Sequence, residues 1–272
     1  MANSITDSTS ESERLIAPEI LDDAFYHAIR GLAQYEELRS VLEIGSSAGG
    51  GSTNAFVQGL MLNRNCPTLY CMEVSCPRFR ELQNKYRHLD FVKCYNVSSV
   101  SSSRVASESE ICQFYHSQKT ALNKYKLSVV LGWREEGLRY LREHPDLDQD
   151  GIFAIKRDNN IEFFDLVLID GSEFTGMAEL NDIYGAKIIC LDDINAFKCH
   201  AVRQLLLNDP AYELLVENQQ LRNGFSIFCH VDAAYRVRAI KEVLKAMELR
   251  AGRRKLSWRR AAGVIRGVLS RR

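Results

Sequence analysis

Leu42-Glu43-Ile44-Gly45-Ser46-Ser47-Ala48-Gly49-Gly50-Gly51-Ser52-Thr53 is the stretch on which the reading of this chain turns. A short apolar run, Ser40 to Ile44, stops at glycine and passes through a loop of small residues into a helix-like stretch, Thr53 to Leu62. Strand, glycine turn and helix in that order bring backbone amides close to a ligand, because residues without a Cβ permit both the approach and positive φ angles. The helix amino terminus adds a partial positive field that suits a carboxylate or a phosphate. A glycine-rich turn taken alone is equally a plain structural turn, so its meaning depends on what surrounds it.

Outward from this turn, the pattern alternates. Upstream, Pro18 opens an amphipathic helix whose apolar residues recur at helical spacing to about Leu38. Downstream come a strand at Thr68–Met72, a helix at Arg78–Tyr86 and a strand at Phe91–Tyr95. The serine cluster and mixed segment from Ser98 to Tyr125 break the rhythm and read as an insertion, 98–126, of the kind that forms a lid. Leu127–Leu131 and a helix at Glu135–Arg142 resume the alternation, and a loop rich in Asp and Gly runs from His144 to Asn160. Phe164–Ile169 is the most apolar strand, and Lys187–Leu191 is another that ends at Asp192-Asp193. After a helix at Val202–Leu207, Tyr212–Val216 and Phe225–Val231 form a closing pair joined at Asn223-Gly224, a hairpin signal. The predicted fold is α/β: a doubly wound, mostly parallel seven-stranded sheet with an antiparallel edge strand.

The bulk composition agrees with a folded domain. Of 272 residues, 46% are hydrophobic and 26% charged, enough to bury a core. Residues 1–17, rich in Ser, Thr, Asp and Glu, read as a disordered leader, residues 18–235 as the ligand-binding domain, and 236–272 as a helical, basic tail. Eight cysteines without a C-x-x-C pair form no disulfide or zinc framework; Cys71, Cys94, Cys190 and Cys229 sit in apolar contexts and read as reduced core residues. Arg250–Arg272 holds nine basic residues and no acid, leaving 26 basic against 35 acidic elsewhere. A nucleic-acid surface on the body is therefore excluded, and the tail, with Trp258 among its arginines, is expected to make peripheral contact with an anionic membrane. No secretion signal or spanning run is visible, so a cytoplasmic location is expected and the sequon Asn96-Val97-Ser98 is discounted.

Acids mark the ends of three further strands. Glu73 follows the strand after the glycine turn, where its two oxygens can accept both hydroxyls of a ribose. Asp170, in LIDGSEF, and Asp192 with Asp193, in CLDDINAF, are expected to converge on the same crevice, because carboxyl ends of neighbouring parallel strands do. Three clustered carboxylates repel one another unless a cation sits among them, and Mg²⁺ is the usual remedy. Helix capping by Asp192 or Asp193 is the alternative.

VLEIGSSAGGGST, YCMEVS, FDLVLIDGSEF and IICLDDINAF, in that order, resemble the class I S-adenosylmethionine (SAM)-dependent methyltransferases. The closest branch is that of small-molecule and sugar O-methyltransferases, related to catechol methyltransferases and cephalosporin hydroxylase-like proteins. The resemblance covers about Val41 to Val231 and implies transfer of a methyl group to an oxygen of a small or glycan acceptor. It implies that the turn, with Glu43, Gly45, Ser46, Ser47, Gly49, Gly51 and Ser52, holds the methionine part of SAM, and that Glu73 holds the ribose. Asn96 and Val97, or Gly132 and Trp133, would then border the adenine, and Asp170, Asp192 and Asp193 match metal-binding acids of some members. Sugar methyltransferases of this kind often carry a histidine where this chain has Glu173, and their Gly-Gly turn is here Tyr184-Gly185-Ala186-Lys187. The catalytic candidates are thus Asp170, Glu173 and His200, which lies about a helical turn beyond the Asp pair. Two other classes compete: an NAD-dependent oxidoreductase, disfavoured because Glu73 stands 28 residues beyond Gly45 rather than about 20 past the turn, and a non-catalytic binding module on the same fold.

Overall fold

The computed structural model describes residues 14–233. Seven strands, β1 Ser40–Ile44, β2 Thr68–Met72, β3 Val92–Tyr95, β4 Leu166–Ile169, β5 Ile188–Asp192, β6 Tyr212–Asn218 and β7 Phe225–His230, form one sheet in the order β3-β2-β1-β4-β5-β7-β6. β1 to β5 run parallel, and β7 is antiparallel to both β5 and β6. This is the doubly wound, seven-stranded α/β sheet predicted. The hairpin folds back, so the antiparallel strand lies one in from the edge and β6 takes the outer position.

The central strands are apolar along their whole length because helices cover both faces. Val41, Leu69, Leu168 and Cys190 face one layer with α1 (Ala24–Leu32), α2 (Ser52–Leu60) and α3 (Cys76–Tyr86). Leu42, Met72, Val167 and Ile189 face the other, with α6 (Gly151–Asp158), α7 (Gly176–Ile183) and α8 (Phe197–Asn208). Val41 and Leu42 are both fully buried, and each contributes about 1.5–3 kcal/mol to that burial. Local signals set the helix ends: Asp23 caps α1 by accepting from the Tyr26 amide at 2.8 Å, and Ser107 with Glu110 forms a capping box for α4 (Glu108–Ser117).

Four sequence readings change. Leu127–Leu131 does not extend as a strand but opens the helix α5 (Leu127–Glu143): Val130 is buried while Val129 is 42% exposed, a helical rather than an alternating pattern. The loop read from His144 to Asn160 contains α6, which buries Ile152 and Ile155. α7 lies between the last two parallel strands, where the sequence gave little periodic signal, and α8 begins at Phe197 rather than Val202. The serine-rich insertion carries α4, which packs with α5 in a small separate cluster of Ile111, Leu122, Val130 and Phe174. No helix among the described residues is long and apolar enough to cross a membrane. The basic tail, with its membrane expectation, and the leader to residue 13 lie outside the described residues.

Candidate active site

The strand order reverses between β1 and β4, and a doubly wound sheet opens a crevice there at the carboxyl ends of its strands. A cavity of about 380 Å³ occupies this place, within the size range of small-molecule sites. Its floor is the glycine turn. Gly45 has φ +87°, and a Cβ there would lie 2.1 Å from the Asp170 carbonyl oxygen, so the end of β1 is pressed directly against the end of β4. Gly49 has φ +71°, and a Cβ there would meet the Tyr86 ring at 2.6 Å. Tyr86 Oη and Lys85 Nζ both donate to the Gly49 carbonyl, at 2.6 and 2.8 Å, tying the turn to α3.

Glu73, 6% exposed, joins the turn to the end of β2: Oε2 accepts from the Ser47 amide at 2.7 Å and Oε1 from the Ser75 amide at 2.8 Å. Burial pushes its carboxyl up, and the two amides pull it back. Each oxygen keeps a further lone pair, and Glu73 lines the cavity beside Ser46, Ser47, Gly51 and Ser52. Val97 lines it too, with Ser98 and Ser99 after it.

Asp170, Asp192 and Asp193 converge as the sequence predicts, with ligand atoms within 4.8 Å of one another, and all three border the cavity. Two side chains compensate their charge. Lys198 Nζ lies 2.7 Å from Asp170 Oδ1 and 2.8 Å from Asp193 Oδ2, and Arg222 Nη2 lies 2.7 Å from Asp192 Oδ1. Arg222 also pairs with Asp23, the cap of α1. Asn223 Nδ2 donates to Asp193 Oδ1 at 3.0 Å. Burial pushes the Asp170 carboxyl up to about 8, with Lys198 opposing the shift and the two neighbouring aspartates adding to it. Asp192 rises to about 6 for the same reason, burial first. Burial works against ionised Asp193 as well, but Lys198 and Asn223 outweigh it and hold its carboxyl below the ordinary value. The acids raise Lys198 well above the usual lysine range, so it stays an ammonium despite its burial. The cation that the sequence reading assigned to Mg²⁺ is therefore supplied by side chains. As they stand, these residues do not fit a divalent ion, because a nitrogen donor already occupies each carboxylate.

Several sequence candidates sit elsewhere. Glu173 is half-buried and accepts from the Phe197 amide at 2.7 Å and the Lys198 amide at 3.4 Å, so this carboxylate, rather than Asp192 or Asp193, caps α8. Burial raises it to about 7, but it does not line the cavity. His200 packs edge-on against Phe114, ring centroids 5.2 Å apart, and faces away from the pocket, so it is not placed to act as a catalytic group. Trp133, with Gly132, belongs to α5; its ring meets Tyr125 and not the cavity. Asn96 braces the cavity from behind, its Nδ2 donating to the carbonyls of Glu73 and Val74 at 2.8 and 3.0 Å. Glu43 lies fully buried beneath the turn, accepting from Thr53 Oγ1 at 2.7 Å, and burial raises its carboxyl.

Residues that the sequence reading passed over complete the site. Lys198 stands six positions after Asp192 in the run FKCH, and a basic residue at that distance from an acid cluster was the available signal. Ile16 and Ala17, read as the end of the leader, line the cavity with Pro18, which packs on Gly50 and Gly51. No sequence pattern places that segment across the turn.

No protein-family model matches this chain, and no curated protein sequence does. Among solved structures, it is similar to the O-methyltransferase from Bacillus cereus in complex with SAH, with 14% identity over 79% of this chain and 84% of that one and a TM-score of 0.45. Cofactor-bound Rv0187 from MTB gives 15% identity, 80% and 85% coverage and a TM-score of 0.47. A methyltransferase from Geobacter sulfurreducens gives 10%, 78% and 82%, with a TM-score of 0.45. At these identities and scores none of them assigns an activity to this chain.

Proposed function

We propose that this protein is a SAM-dependent methyltransferase that transfers a methyl group to an oxygen of a small or sugar-like acceptor. The observation that carries this reading is the placement of Glu73: a buried carboxylate fixed by the Ser47 and Ser75 amides on the wall of a cavity whose floor is the glycine turn. An acid at the end of the strand after such a turn is suited to a ribose diol. The cavity fits the rest of a nucleoside-linked amino acid. The amides of Gly45 to Ser52 and the start of α2 would hold its carboxylate. Glu73 would accept the ribose hydroxyls, Val97, Ser98 and Ser99 would border the base, and Asp170 would meet the amino group.

When bound, the cofactor supplies a methyl group on a sulfonium centre, already activated for displacement. The chain then has to orient the acceptor oxygen in line and remove its proton. Asp170 is suited to the second task, since a carboxyl pushed up to about 8 accepts a proton near neutral pH. The O–H proton passes to that carboxylate as the oxygen forms its bond to carbon, and the thioether product keeps the electron pair of the broken C–S bond. Glu173 is committed to the α8 amides and takes no part in this step. The test is incubation with methyl-labelled SAM and a panel of phenols, polyols and sugars. Label should enter an ether for one class of acceptor and be lost with Asp170→Asn; label in none of them, with SAM intact, would contradict the reading.

A further inference from the structure

We infer that the Lys198 ammonium stands in for a divalent cation, so that the three-carboxylate cluster of this site excludes metal ions. Only the use made of that charge rests on the methyltransferase reading; the exclusion of the ion follows from side-chain geometry.

Asp170, Asp192 and Asp193 present oxygens within 4.8 Å of one another, a spacing at which a hard ion could bridge them. Mg²⁺ requires six oxygen ligands in near-octahedral array at about 2.0–2.1 Å. Here Lys198 Nζ already lies between two of the three acids, at 2.7 and 2.8 Å, and Arg222 holds the third at 2.7 Å. An ammonium has no lone pair to offer an ion, and its charge repels one. Lys198 also has little room to withdraw. Its side chain is 5% exposed, and its amide faces Glu173. Helix α7 is packed so closely that a Cβ on Gly176 would lie 1.8 Å from the Lys198 carbonyl oxygen.

The substitution of ammonium for metal has a chemical consequence. An ammonium carries three N–H donors, and Asp170 with Asp193 accounts for two. Because Lys198 lines the cavity, the third is available to an acceptor oxygen and would stabilise negative charge as it develops there. The acceptors that fit are hydroxyl compounds able to bind a single cationic donor, rather than those that need two adjacent oxygens to chelate an ion.

Mn²⁺ is the probe, followed on the whole chain by the loss of its free-ion paramagnetic resonance signal and by calorimetry. The wild type is expected to show no Mn²⁺ site at this cluster. Lys198→Met, which removes the charge and keeps the stem, is expected to gain one, about 100-fold or more above any wild-type affinity. Asp193→Asn in that background should abolish it. Mn²⁺ binding by the wild type that Asp193→Asn removes would overturn the inference, and so would a folded Lys198→Met chain that gains no site. If the Met variant does not fold, Lys198→Gln serves the same comparison, and the wild type with its Asp193→Asn variant is decisive on whether the cluster takes an ion. SAH titrated into the same samples separates the two readings: absent SAH binding would count against the methyltransferase and leave the metal result intact.

Discussion

Lys198→Met should also turn a pH-tolerant fold into a pH-sensitive one. In the wild type the ammonium is shared by Asp170 and Asp193 at 2.7 and 2.8 Å, and the lysine side chain is 5% exposed. Removing one partner of a buried ion pair leaves uncompensated charge and costs about 3–5 kcal/mol. That is a large part of the ~5–15 kcal/mol that stabilises a typical domain, but less than all of it. The loss is greatest where the carboxyls must stay ionised. Asp170 already stands at about 8 with Lys198 opposing the shift, and Asp193 is held down chiefly by Lys198 against the effect of burial. Without the ammonium both rise, so between about pH 4, the unfolded value, and these raised values the folded variant binds more protons than the unfolded chain. Stability must then fall as pH increases through that window, by at most about 1.4 kcal/mol per pH unit for each such proton. Urea midpoints for wild type and variant at about pH 5 and about pH 8 should show a gap that widens toward pH 8. No gap at pH 8, or a narrower one than at pH 5, would refute the role given to Lys198.

Glu73→Ala should weaken SAH binding by about 1.5–3 kcal/mol, from two ribose hydrogen bonds to a charged acceptor, and should lower stability because the Ser47 and Ser75 amides lose their partner. Calorimetry together with a melting curve separates the two effects; an unchanged dissociation constant in a folded variant would remove Glu73 from the site. Gly45→Ala combines φ +87° with a Cβ 2.1 Å from the Asp170 carbonyl oxygen, so the loss should exceed about 4 kcal/mol, and a soluble variant of wild-type urea stability would contradict the turn geometry.

The parts of the fold that the sequence revealed are those whose burial is two-sided. β1, β2, β4 and β5 lie between helical layers, read as unbroken apolar runs, and end in the glycines or acids that face the crevice. α6 was hidden because only Gly151, Ile152 and Ile155 of its eight residues are buried, among Asp and Lys that read as loop. Convergence of the acids followed from strand polarity alone. The side chains on α8 did not, because at 3.6 residues per turn Lys198 and His200 differ by about 200° in direction. Once the helix starts at Phe197, Lys198 faces the cavity and His200 turns toward Phe114. A choice between them needed the helix start, and that depends on Glu173, a cap supplied from a distant loop. The segment 16–18 was equally beyond reach, since its contacts with Gly50 and Gly51 arise only in three dimensions.

The measurement that bears most directly on the proposed function is a calorimetric titration of the whole chain with SAM, SAH and NAD, repeated in excess chelator. One site per chain for SAM and SAH, unchanged by chelation, and no heat with NAD is the predicted result. Binding of NAD in place of SAM, or of neither, would contradict the assignment of the cavity formed by Gly45, Glu73 and Asp170 to a sulfonium nucleoside.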